Sequence, residues 1–303
     1  MLLSCLACLA MGFAQEINAF RIALPLDAEH VIIIGNELPT GADGTGLYAD
    51  KLRELPVAAA RPKFMPADGT DSIYLPSRAD LEKLAPGDNW KTGERWTIYP
   101  GAGTPVAVTI EKPGFTLYCG GPGGYRVATA RITGRENSNR LASLLAQQYL
   151  ATKGGGIPAI GHEPLMPIEN LDEFRITEIL RERVANAPVA SPQIRMMRWN
   201  PAGKPLLLVQ ALWLRTGGGG GIQIDAVIDE KPMQIIAAST RVSEPYPENH
   251  KAFWSTFLNG WKIGSRLFLL VHDEGTEGFG VHLVEVIPGG GFVDVGPGYG
   301  AGC

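Results

Sequence analysis

The sequence predicts an α+β protein dominated by strand, in which antiparallel hairpins with glycine-rich turns form one or two sheets or barrels and two or three helices pack across them. Three observations carry this expectation. An apolar strand, a glycine-rich connection and a returning strand recur along the chain. Period-two alternation is clear in several segments, as expected of strands. Finally, 38 Gly and 23 Pro are interleaved with apolar runs over 303 residues, a pattern of many tight turns and not of low complexity.

The clearest hairpin runs from Pro205 to Glu230. Leu206-Leu207-Leu208-Val209 opens a strand reaching Arg215, glycines fill Gly217 to Gly221, and Ile222, Ile224, Ala226 and Ile228 then alternate with Gln223, Asp225 and Asp229. That alternation reads as one buried face and one wet face. A second hairpin spans Pro105 to Ile132, with Val106, Val108 and Ile110 on one face and a turn around Cys119 to Gly124. The third runs from Arg266 to Val286 through a turn between Gly275 and Gly280. An Arg-Trp pair precedes two of the hairpins, at Trp96 and Trp199, hinting that the two halves are related. No repeat continues at a fixed period, which argues against a propeller or solenoid.

Helical periodicity is confined to three stretches. Ser138 can cap a helix through Leu141, Leu144 and Leu145 to about Thr152, where Gly154 to Gly156 would stop it. Asn170 or Asp172 can cap a second, with Leu171, Phe174, Ile179, Leu180 and Val184 as its apolar side. The third covers Pro247 to Asn259, with Phe253, Trp254, Phe257 and Leu258 on adjoining turns and Gly260 as its stop. The organisation expected is a signal peptide over 1–14, an N-terminal β-rich unit over 15–153, a Gly/Pro-rich connector with one helix over 154–192, and a C-terminal β-rich unit over 193–303.

The first fourteen residues, MLLSCLACLAMGFA, precede the polar pair Gln15-Glu16. They are apolar enough for export and shorter than the roughly 18 to 20 residues that span a bilayer. The expectation is secretion or a periplasmic location, with cleavage after Ala14 and no transmembrane anchor. Leu2-Leu3-Ser4-Cys5 also permits a lipoprotein acylated at Cys5, a less favoured reading because the apolar run continues past that cysteine. Removal of the leader takes Cys5 and Cys8 with it and leaves Cys119 and Cys303, a candidate disulfide in an oxidising compartment.

Composition excludes several functions. With 45% hydrophobic and 19% charged residues the chain can bury a sizeable core, and its net charge of −4 leaves no basic footprint for nucleic acid. No phosphate-binding glycine loop, nucleophile elbow or full calcium loop occurs, so no cofactor is expected and no metal is assigned. His272 and His282 fall on opposite arms of the third hairpin and are the catalytic candidates, although Glu285 lies on the opposite strand face from His282 and cannot complete a metal site. Trp90, beside Asp88 and Asn89, is the candidate ligand-binding aromatic, and carbohydrate or protein is the ligand class such a platform suits. The balance favours a binding or structural module of the cell exterior over an enzyme; the alternative is an extracytoplasmic hydrolase, with or without a metal, built on His272 and His282.

Overall fold

The computed structural model describes residues 20–38, 57–59, 73–74, 90–99, 105–117, 124–134, 149–154, 160–162, 165–168, 173–184, 189–216, 220–243, 255–274, 278–295 and 298–302. The chain forms two compact units, one of Met1–Pro158, Thr276–Leu283 and Val295–Cys303, the other of Ala159–Gly275 and Val284–Asp294.

In the first unit eight strands pair: β1 (Phe20–Pro25), β2 (His30–Glu37), β3 (Val57–Ala59), β4 (Ile73–Tyr74), β5 (Arg95–Tyr99), β6 (Val106–Leu117), β7 (Gly124–Ile132) and β8 (Tyr149–Lys153). The order β6-β5-β8-β1-β2-β7 returns to β6 and closes a six-stranded barrel, while β3 and β4 extend from the far end of β6. Every pairing is antiparallel. Closure removes the free sheet edges that would otherwise pair with other chains. One apolar cluster draws on all six barrel strands, through Ala23, Val31, Ile33, Trp96, Ile98, Val106, Val108, Ile110, Ala128, Ala130, Ile132 and Ala151. A cluster shared by every strand of a closed barrel is its interior. Four alanines beside bulkier residues fit the alternation of small and large side chains that fills a narrow barrel.

The second unit holds β9 (Ile160–His162), β10 (Met166–Pro167), helix α1 (Glu173–Arg181), β11 (Gln193–Trp199), β12 (Leu206–Leu214), β13 (Gly221–Asp229), β14 (Gln234–Ser243), β15 (Ser255–Ile263), β16 (Arg266–Glu274) and β18 (Phe292–Asp294). Strand β17 (Gly278–Val286) pairs with β18 through Val284–Val286 in this unit, and its Gly278–Val281 end pairs with β19 (Tyr299–Gly302) in the first. One sheet runs β10-β11-β12-β13-β14, and the other β18-β17-β16-β15-β9.

Strand parity sets the layers. Leu207, Val209, Ala211 and Trp213 of β12 join Ile222, Ile224, Ala226 and Ile228 of β13 under α1, which contributes Ile176 and Leu180, with Val184 just beyond. The alternate residues Leu206, Leu208, Val227 and Ala237 face the second sheet and meet Phe257, Leu269, Val271, Val284 and Val286. The first sheet is thus buried on both faces, between a helix and a second sheet. Each such side chain taken from water contributes roughly 1.5–3 kcal/mol.

These elements correct the sequence expectation in several ways. Among the described residues α1 is the one α-helix, not two or three. The stretch read as helical up to Thr152 becomes strand from Tyr149, since β8 pairs with β1 on one edge and β5 on the other to close the barrel; residues 138–148 lie outside the described residues. Likewise Phe257, Leu258 and Gly260 lie in β15, and residues 247–254 lie outside the description. In so short an apolar window the helical and strand periods cannot be told apart, and ladder partners decide. The second error concerns the wet face of β13: Gln223 and Asp225 are buried, at 0% and 2% exposure.

The helix that does form rotates its stripe. Ile176, Leu180 and Val184, four apart, are buried, whereas Phe174 is 75% exposed. The Arg-Trp echo dissolves too: Trp96 is the second residue of β5 inside the barrel, and Trp199 is the last residue of β11 between the two sheets.

Candidate functional site

Within the second unit the apolar interior between the sheets gives way at one end to polar side chains. Leu206 and Leu208 face the second sheet, so Gln210 does as well; Val227 does, so Gln223 and Asp225 follow. From the opposite sheet Ser255 arrives two residues before the inward-facing Phe257. Gln210, Gln223, Asp225 and Ser255 are all at most 2% exposed.

Their hydrogen bonds close on one another. Gln210 Nε2 donates to Asp225 Oδ1 at 3.0 Å and to the Ser255 carbonyl at 2.8 Å. Gln223 Nε2 donates to Asp225 Oδ1 at 2.7 Å and to Ser255 Oγ at 2.6 Å. Ser255 Oγ in turn donates to Asp225 Oδ2 at 2.8 Å. The Phe257 amide donates to Gln210 Oε1 at 3.4 Å, so both ends of that side chain tie β12 to β15. Nearer solvent, Arg241 donates through Nη1 to Asp273 at 2.6 Å, and its Nε lies 4.0 Å from Asp225 Oδ2. Arg195 Nη1 reaches Thr256 Oγ1 at 3.4 Å.

The chemistry of this cluster follows from who donates to whom. A carboxylate withdrawn from water must recover its hydration from protein donors. Asp225 does so with two amides and a hydroxyl, a charge-assisted set stronger than neutral bonds. A serine hydroxyl donating to a carboxylate resembles half of a nucleophile–base pair. Here, however, both Asp225 oxygens are shared with this internal network, Ser255 is 1% exposed, and among the described residues the groups seen to meet the pair are the amides of Gln210 and Gln223. His272 stands between Val271 and Asp273, both of which face inward, so its side chain leaves the opposite face of the sheet.

The other candidates are placed as follows. His272 lies on β16 in the second unit and His282 on β17 in the first, between buried Val281 and Leu283. Glu285 is held by Arg266 in a bidentate pair at 2.6 and 2.5 Å, with the guanidinium 4.9 Å from the Phe268 ring centroid. Among the described residues no group of three or more His, Cys, Asp or Glu could hold a metal ion. Trp90 is half-buried against the barrel interior, its ring 5.2 Å from that of Trp96 and tilted by 41°. Cys119 and Cys303, and the leader with Cys5, lie outside the described residues.

No family model, curated protein or solved structure matches the chain. The reading of function therefore rests on the geometry of its own residues. Sequence reasoning missed the buried network because Gln223 and Asp225 alternate with isoleucines. One signal was present: Gln210 interrupts the apolar run LLLVQALWL, and the hairpin register sets it directly opposite Asp225. A lone amide in a doubly buried strand facing a carboxylate marks an internal polar pair.

Proposed function

We propose that this is a secreted or periplasmic module with a binding or structural role, not a catalytic one. The observation that carries the reading is the engagement of Ser255 and Asp225: the hydroxyl and carboxylate that could have formed a reactive pair are spent on each other and on Gln210 and Gln223. Such a network fixes the alignment of two sheets, a role for buried polar groups in which they give up some stability for specificity. Carbohydrate or protein remains the ligand class this proposal assigns. Export is supported by the leader, cleaved after Ala14, and among the described residues no helix is long and apolar enough to cross a membrane.

The test is labelling of the folded, exported protein with a fluorophosphonate, which reacts with activated serines. No adduct should form at Ser255, and a stoichiometric adduct there would overturn the reading. The competing hydrolase built on His272 and His282 does not involve Ser255 and is tested separately. It requires turnover of ester or glycoside substrates that disappears in an H272A/H282A variant, whereas the present proposal expects no turnover to lose.

A further inference from the structure

At the start of β2 a histidine is set between two acidic side chains from different elements. Val31 and Ile33 of β2, Ala130 of β7 and Ile110 of β6 fill the barrel interior, so His30 and Arg131, directly opposite one another in the β2–β7 ladder, point outward. Between Ile110 and Lys112 the β6–β7 register slips by one residue, and Glu111 is the extra residue of that bulge. A bulge re-aims a side chain. Here it lets Glu111 meet charges on both β7 and β2, with Oε1 2.5 Å from Arg131 Nε and Oε2 3.3 Å from His30 Nε2. On the other side of the ring, His30 Nδ1 lies 2.9 and 3.0 Å from the two carboxylate oxygens of Asp27.

The protonation of the ring decides what this arrangement can bond. A carboxylate oxygen accepts hydrogen bonds and donates none, so each ring nitrogen needs a proton to meet its own carboxylate. Only the imidazolium carries both. It also balances the charges, since Asp27 and Glu111 are then matched by His30 and Arg131, while Glu29 and Lys112, adjacent to them in the chain, carry opposite signs. A neutral ring turns a lone pair toward either Asp27 or Glu111, and attraction there becomes repulsion. The His30 side chain is 19% exposed, which withdraws it from much of the solvent that would screen these pairs. Backbone bonds gather at the same turn: the His30 carbonyl accepts the amides of Leu26 and Asp27 at 3.0 and 3.2 Å, the Glu29 carbonyl accepts that of Ile132 at 2.8 Å, and Asp27 Oδ1 accepts those of Glu29 and His30 at 2.7 and 2.8 Å.

We propose that His30 is a proton-operated latch, which as the imidazolium ties the β1–β2 turn, through Asp27, to the bulge of β6, through Glu111, and as the neutral ring releases one of them. Histidine changes charge between about pH 5 and 8. Because the folded arrangement favours the protonated ring, its stabilisation is present on the acid side of that interval and is lost as pH rises. The test is a double-mutant cycle in the full chain, with His30→Phe, Glu111→Gln and the two together melted at about pH 5.5 and about pH 8.5. Groups elsewhere that titrate over this interval cancel in the cycle. The coupling of His30 to Glu111 should raise the melting temperature by about 2 °C at the lower pH and vanish at the higher. Hydrogen exchange gives a local readout: corrected for intrinsic rates, the Leu26, Asp27 and Ile132 amides of wild type should lose about threefold protection between the two conditions, and those of His30→Phe should not change. A coupling that does not fall with rising pH or is absent at the lower value overturns the proposal, as does wild-type protection that stays constant.

Discussion

Gly260 illustrates how far a single residue depends on a neighbour remote in sequence. Its place after the helix expected over Pro247 to Asn259 suggests a stop signal, yet it lies inside β15, where a β-carbon would stand 2.8 Å from Trp199 Cε2 and 3.2 Å from Leu269 Cδ2. The Trp199 ring is fully buried and cannot retreat. Gly260→Ala should therefore destabilise by about 1–3 kcal/mol, the usual cost of overpacking, measured by urea denaturation. Asp27 offers a second residue-scale test, in the turn between β1 and β2. Partial burial pushes its carboxyl up, but hydrogen bonds from the Glu29 and His30 amides and the His30 ring, with the charge of that ring, outweigh burial and hold it below its ordinary value of 3.8. A carboxyl depressed in the folded state favours folding above its ordinary value, and the contribution fades as pH falls below 3.8 through the folded-state value. The stability of wild type over Asp27→Asn should thus be largest near neutrality and shrink below about pH 4. A difference unchanged by acid would contradict the assignment.

At the scale of elements, side chains of β12 and β13 join those strands to β15, meeting both the Ser255 hydroxyl and the main chain of Ser255 and Phe257. Removing one partner leaves others buried and unsatisfied, which costs more than the bond itself contributes. Ser255→Ala should cost about 1–3 kcal/mol and Asp225→Asn more, roughly 3–5 kcal/mol, because the new amide would meet two amide donors with a donor of its own. Replacing all four groups together by apolar residues of similar volume should recover most of that loss. Non-additivity of this kind, read by equilibrium unfolding of the single and combined variants, separates a closed network from four independent contacts. The helix presents a simpler case. Leu180 is 0% exposed and packs on the sheet beside Ile176 and Val184, so Leu180→Ala should cost about 2–5 kcal/mol, while Phe174→Ala, at a position 75% exposed, should be close to neutral.

For the whole molecule, the hairpins of β6 with β7 and β12 with β13 follow directly from runs of alternating apolar residues punctuated by glycine. Their closure into a barrel in one unit and stacking against a second sheet in the other do not. Closure depends on β8 finding β1 and β5, strands distant from it in sequence, and no local pattern in Tyr149–Lys153 announces those partners. The proposed bridge between Cys119 and Cys303 belongs to this scale as well. Intact mass of exported protein should be lower by two hydrogens than that of the reduced chain, and the mature N-terminus should be Gln15. Free thiols at both cysteines would remove the bridge.

What the chain determines by itself is its strand content, its turn positions and its compositional class, because these arise from interactions between near neighbours: side-chain period, glycine punctuation and charge balance. Gln210 in an apolar strand belongs with them, being a visible anomaly. Tertiary structure decided the rest. Whether Phe257 belongs to helix or strand, whether Asp225 faces water or a neighbouring sheet, and which face of α1 is buried all depend on partners supplied from elsewhere in the chain. Alternation specifies that a strand has two faces; only packing determines whether the second face meets solvent or another layer.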